Sequence, residues 1–183
     1  MSLPNRITVM RMGMIPLVLV CLHIDSPIGQ LSAVALFIAA ALTDMLDGYL
    51  ARRNRVVTNF GKFLDPVADK LLVLSTMIAL CGLGRFPAWA CVTILFREIA
   101  VDGLRLVAME RRKVIAAGML GKIKTILQMA AIVLFMLRNW PFSPFPMDYT
   151  LLCLAVAMTL WSGIDYFWRN REAFTGGEDL ADS

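Results

Sequence analysis

Four aspartates gather in one short stretch of an otherwise apolar chain. Residues 41–70, ALTDMLDGYLARRNRVVTNFGKFLDPVADK, contain Asp44, Asp47, Asp65 and Asp69 together with Gly48, Gly61 and a run of cations. Counted from Asp44, the positions of Asp47, Gly48, Ala51 and Arg52 fall three, four, seven and eight residues on, which is one stripe of an α-helix. After the segment 53–60, Gly61, Asp65 and Asp69 recur at every fourth residue and again share a helix face. A short turn between antiparallel helices would bring the two pairs of carboxylates together. Like charges at that density repel, and a single Asp at the centre of a bilayer already costs about 2.5–3.5 kcal/mol, so a positive partner belongs among them. Carboxylate oxygens without His or Cys suit a hard divalent cation such as Mg²⁺ or Mn²⁺, and four of them suit two bridged ions. The glycines leave room for a phosphate or sugar to approach the backbone. Arg52 adds a fixed cation able to reach a phosphate oxygen. Helix capping and pairing with Arg52, Arg53 and Arg55 would require neither the second pair of aspartates nor the glycines.

The elements that hold this stretch are hydrocarbon. Of 183 residues 58% are hydrophobic, too many for an ordinary soluble domain, which points to a multi-span membrane protein with one catalytic domain over residues 1–174. The fold class expected is an all-α integral membrane protein of six transmembrane helices with a short N-terminal interfacial segment. Expected spans cover about 12–24, beginning as early as Ile7, then about 28–51, 59–83, 87–107, 121–137 and 148–168, each near the ~20 residues a bilayer requires. Pro66 either sits in a first helical turn or frees a carbonyl one turn back, and the sequence leaves both open. Residues 138–147 carry three prolines and cannot be regular helix.

The net charge of +4 is spread between apolar segments rather than on one basic face, which favours a membrane over nucleic acid. Arg6, Arg11, Arg52, Arg53, Arg55, Lys62, Arg105, Arg111 to Lys113, Lys122, Lys124, Arg169 and Arg171 fall at one set of span ends; Arg85 and Arg138 mark the other. The positive-inside rule then puts the aspartate motif and both termini on the cytoplasmic side. Arg6 and Arg11 before an apolar run resemble a signal peptide, but no small-residue cleavage site follows, so a retained first span is expected. Residues 175–183, Gly-containing and acidic, are expected to be disordered. Cys21, Cys81, Cys91 and Cys153 stand singly and read as packing residues. His23 and the tryptophans read as interface residues.

A second set of charges interrupts the fourth span, FREIAVDGLR. Ionisable groups inside a span usually face an interior cavity. Arg97 and Arg105 share one face, Glu98 and Asp102 a neighbouring one. GKIKT then places Lys122 and Lys124 at the start of the fifth span. Arg97, Arg105, Lys122 and Lys124 form a candidate site for the phosphate of a second substrate.

The spacing Asp44-x-x-Asp47-Gly48-x-x-Ala51-Arg52, eight residues, Gly61-x-x-x-Asp65-x-x-x-Asp69 resembles the signature of the CDP-alcohol phosphotransferases, membrane enzymes of phospholipid synthesis. Pro4, Asn5, Ile7, Thr8 and Arg11 resemble the N-terminal pattern of its bacterial members. REIAVDGLR, GKIKT and FGKFLDPVADK resemble the branch whose acceptor is sn-glycerol 3-phosphate, so that the likeness runs nearly to Tyr166. The resemblance implies a six-span fold, a homodimer in the bacterial cytoplasmic membrane, and a reaction in which an alcohol hydroxyl attacks the lipid-linked phosphoryl of CDP-diacylglycerol and CMP leaves. It implies that Asp44, Asp47, Asp65 and Asp69 hold divalent metal, with Asp69 the general base. It implies a CDP pocket of Thr43, Asp47, Gly48, Ala51, Arg52 and Gly61, and glycerol phosphate held by Arg97, Arg105, Lys122 and Lys124. The aspartate motif does not distinguish acceptors, so cardiolipin synthase and inositol-phosphate chemistry stay open within the family. A cation transporter or channel would instead require inverted repeats or interrupted spans, and neither is visible.

Overall fold

A computed structural model of the chain describes residues 3–54, 59–110, 119–142, 144–169 and 171, with backbone alone at 3–8, 44–54, 59–69, 107 and 109–110. The described residues form helices and turns, without strands. The helices are α1 (Leu3–His23), α2 (Pro27–Asn54), α3 (Asn59–Gly82), α4 (Ala88–Glu110), α5 (Met119–Met136) and α6 (Met147–Arg169). Each expected span is therefore a helix, with ends displaced by a few residues. The segment expected at the interface is the opening of α1, continuous with the rest of that helix. Pro66 lies inside α3, beyond its first turn, so the carbonyl of Lys62 lacks its usual intrahelical donor.

α5 and α6 are long and apolar enough to cross a membrane; shorter apolar stretches occupy Val9–His23, Pro27–Thr43 and Lys70–Gly82. The remaining helices are interrupted by the charged residues that the sequence marks as candidate sites. They expose large apolar side chains: Ile28 is 78% exposed and Phe96 75%, a pattern that suits lipid and is costly in water.

The chain divides into two units, residues 1–87 with 132–145, and residues 88–131 with 146–183. In the first, α1 packs against both α2 and α3. Its core alternates at helical spacing: Val18 and Leu22 from α1, Ala33, Phe37 and Ala40 from α2, and Leu72, Val73, Met77 and Leu80 from α3 are all buried. Phe86 meets Phe135 edge to face, ring centroids 4.9 Å apart. In the second unit α4 packs against α6, and Ile94, Val101, Leu152 and Ala155 of these helices are buried.

The ends of the helices follow from local chemistry. Ser26 caps α2 by accepting from the amide of Gly29 at 3.0 Å, with Pro27 at the first helical position, where its missing N–H costs nothing. α3 stops in a Schellman turn: Gly84, at φ 67°, donates to the Cys81 carbonyl and Arg85 to that of Leu80. α5 stops the same way on non-glycine residues. Arg138, at φ 52°, donates to Phe135, and Asn139, at φ 61°, to Leu134. The two turns deliver Arg85 and Arg138 to one carboxylate, Asp25 of the α1–α2 connection. Asp25 is largely exposed, so these pairs fix the arrangement of three connections more than they stabilise it.

Close backbone approach at the start of α2 makes a sharp expectation. A Cβ on Gly29 would lie 2.7 Å from the Ile24 carbonyl oxygen, and backbone cannot give way as a flexible side chain can. Gly29→Ala is expected to destabilise the protein by about 1–3 kcal/mol. Gly13→Ala, where nothing lies within 4 Å, should be tolerated. Thermal unfolding of the two variants in detergent compares them directly, and equal midpoints would contradict the packing.

Candidate active site

The buried stripe of α2 passes through Ala33, Phe37 and Ala40. Continued at the same period, it reaches positions 44, 47, 48 and 51. In α3 the stripe through Leu72, Val73, Thr76, Met77 and Leu80, continued backwards, reaches 69 and 65. Asp44, Asp47, Gly48 and Ala51 thus share a helical register with the packed face of α2, and Asp65 and Asp69 with that of α3. Arg52 and Gly61 occupy the same helical segments. The side chains at 44–54 and 59–69 lie outside the described residues, as do 55–58 between the two helices. Among the described residues no group of three His, Cys, Asp or Glu could hold a metal; the four aspartates fall outside that set.

Two neighbours of the motif are described. Thr43 donates its hydroxyl to the Ala39 carbonyl at 2.7 Å, so it can serve a ligand only as an acceptor. Arg11 has the largest of the fully buried side chains, 1% exposed, in the helix packed against both α2 and α3. A count of charges at span ends does not separate Arg11 from exposed cations, whereas its side chain is buried. The available signal is its spacing, seven and eleven residues before the buried Val18 and Leu22 on one face of α1.

The second set of charges lies within the second unit, with its side chains among the described residues. Glu98 of α4 accepts from Arg97 Nη1 at 3.3 Å and from Lys124 Nζ of α5. Arg97 also donates from Nη2 to Ser162 Oγ of α6 at 2.9 Å. Ser162 in turn donates to the Thr159 carbonyl at 3.1 Å. Three helices thus meet through one charged network, and Lys124 is 4% exposed. Arg105, half-buried, has a buried Nε without a hydrogen-bond partner among the described residues. Lys122 is exposed, because two residues turn a helix by about 200° and place it opposite Lys124. The four cations named from sequence therefore differ: Arg97 and Lys124 share Glu98, Arg105 is partly enclosed, and Lys122 is solvent- or headgroup-accessible. Glu98 and Ser162 were not distinguished by sequence as the centre of this arrangement; a polar residue in an apolar helix is the only signal Ser162 offers.

Beside this network, an apolar groove of about 550 Å³ runs between α4 and α6, past Phe96, Arg97, Leu160, Gly163, Ile164 and Trp168. Arg97 serves both, its stem lining the groove and its head entering the network. A Cβ on Gly163 would stand 3.3 Å from Arg97 Cγ, so the glycine gives that stem its room.

Comparison with known proteins places this geometry in context. The profile of the CDP-alcohol phosphatidyltransferase family matches residues 1–161. The CDP-diacylglycerol–glycerol-3-phosphate 3-phosphatidyltransferase of Bacillus subtilis (strain 168) is 44% identical, covering 94% of this chain and 96% of its own. The Rickettsia bellii (strain RML369-C) protein of the same name is 36% identical over 91% of this chain and 93% of its own. In Arabidopsis thaliana, CDP-diacylglycerol–glycerol-3-phosphate 3-phosphatidyltransferase 2 is 36% identical over 92% of this chain and 80% of its own.

The network makes its own expectation. Ser162→Ala removes the acceptor of a buried guanidinium N–H and is expected to cost about 1–3 kcal/mol. Thr93, whose hydroxyl bonds within its own helix at 2.8 Å, is the control, and Thr93→Val should stay within about 0.5 kcal/mol. Urea or thermal unfolding in micelles measures both, and an unperturbed Ser162→Ala would mean that the guanidinium finds another partner.

Proposed function

The chain belongs to the CDP-alcohol phosphatidyltransferase family, and from that premise we propose that it transfers the phosphatidyl group of CDP-diacylglycerol to sn-glycerol 3-phosphate. The products are phosphatidylglycerophosphate and CMP. The observation that carries this reading is the aspartate and glycine motif on two successive helices, in the register of their packed faces, within a chain that matches the family over residues 1–161. Full-length likeness to proteins named for that acceptor supports glycerol 3-phosphate.

Each residue then has a part. The acceptor hydroxyl oxygen attacks the lipid-linked phosphorus, the bond from that phosphorus to the CMP oxygen breaks, and Asp69 takes the hydroxyl proton. Asp44, Asp47, Asp65 and Asp69 offer an all-oxygen donor set that fits Mg²⁺ or Mn²⁺, with room in number for two ions. Such ions, when bound, neutralise the diphosphate and the charge that grows on the departing CMP. Thr43, Asp47, Gly48, Ala51, Arg52 and Gly61 line the CDP pocket. Arg97, Arg105 and Lys124 receive the acceptor phosphate, and Lys122, exposed across α5 from Lys124, stands apart from them. The protein acts as a multi-span homodimer in the bacterial cytoplasmic membrane, with the site and both termini on the cytoplasmic side, where a soluble acceptor and a bilayer-bound donor meet.

Purified protein offered CDP-diacylglycerol, Mg²⁺ and a panel of alcohols should release CMP with glycerol 3-phosphate. Release only with phosphatidylglycerol or inositol phosphate would reassign the acceptor. Asp69→Asn should lower kcat by about 10²–10⁴ while CDP-diacylglycerol binding stays within about tenfold; retained turnover would remove Asp69 from the role of base. Chelation should abolish activity and added Mg²⁺ or Mn²⁺ restore it.

A further inference from the structure

A carboxylate bracketed by two cations inside a span is an expensive arrangement unless it positions something. Glu98 is such a group, 15% exposed at its side chain, between Arg97 at 14% and Lys124 at 5%. The three come from α4 and α5, and Ser162 of α6 holds the other arm of Arg97 at 2.9 Å. Left without Glu98, Arg97 and Lys124 would be two like charges in a low-dielectric site and would drive each other apart. With it, both heads are tied to one oxygen, Oε1, so their directions are set before any ligand arrives.

We propose that Glu98 is a positioning residue of the acceptor site, its carboxylate between Arg97 and Lys124 orienting both cations for the acceptor's phosphate. This rests on the reading that the cluster receives the acceptor. Glu98 touches neither substrate in this role; it acts through its two partners, and its loss disturbs acceptor binding while leaving the donor's site intact.

The test is steady-state kinetics with both substrates varied. Glu98→Gln keeps the shape of the side chain and removes its charge. It is expected to raise the KM for glycerol 3-phosphate about tenfold or more, the loss of one charge-assisted contact, with the KM for CDP-diacylglycerol within about twofold. Because the loss of a buried charge can unfold the protein, Glu98→Asp is the second variant: it keeps the carboxylate and shortens its reach. If Glu98 positions the acceptor site, Glu98→Asp folds and gives an acceptor KM between those of the wild type and Glu98→Gln. Wild-type acceptor KM in either folded variant, or unfolding of both, would reduce Glu98 to a structural counter-ion and overturn the proposal. Arg105→Ala separates this from the reading beneath it. A raised acceptor KM there with none in Glu98→Gln overturns the role of Glu98 alone, and unchanged acceptor KM in both removes the acceptor site from this cluster and the proposal with it.

Discussion

Charge in a low-dielectric medium is the constraint on which this molecule depends. A hydrocarbon interior penalises each unpaired ion by several kcal/mol, yet every described helix of this chain carries ionisable residues. Every such group must meet an opposite charge or a ligand. In the second unit the partners are present within the protein: Glu98 lies between Arg97 and Lys124, and Ser162 holds the remaining arm. In α2 and α3 the acids outnumber what neighbouring side chains of the same stripes supply by sequence. Under the proposed function, divalent cations and a diphosphate are their complement.

This division explains why the helices look as they do. α5 and α6 are apolar enough to span by composition alone, whereas α1 to α3 show only shorter apolar stretches. The charged ends of α2 and α3 are where a soluble nucleotide would approach, and the apolar remainder anchors them. An apolar groove beside a charged network, sharing Arg97, likewise suits a reaction between an amphiphile and a small anion. Membrane placement and chemistry are two consequences of one distribution of charge.

Much of this was legible in the sequence because it rests on local rules. The expected spans coincide with the described helices, although only α5 and α6 are apolar enough to cross a membrane by composition alone. Ser26-Pro27 announces the start of α2 and Gly84 the end of α3. The end of α5 was less legible: Arg138 and Asn139 take positive φ without glycine, a strain that tertiary contact with Asp25 accompanies but no local rule announces. The burial of Arg11 was not legible for a similar reason, because charge counting places cations at span ends without separating exposed from buried ones. Lys122 and Lys124 look alike in sequence, and helical phase alone separates the exposed one from the buried one. Sequence supplied residue types and periods; which cation meets which acid required three dimensions.

The central claim is that the aspartates of α2 and α3 share divalent ions that grip a nucleotide-activated lipid. Electron paramagnetic resonance of Mn²⁺ titrated into the purified protein, with and without CDP-diacylglycerol, tests it most directly. The account predicts bound Mn²⁺ in the wild type, tighter with the lipid nucleotide present, and its loss when one aspartate from each helix is changed, as in Asp44→Ala/Asp65→Ala. Undiminished Mn²⁺ binding in that folded double variant would contradict it.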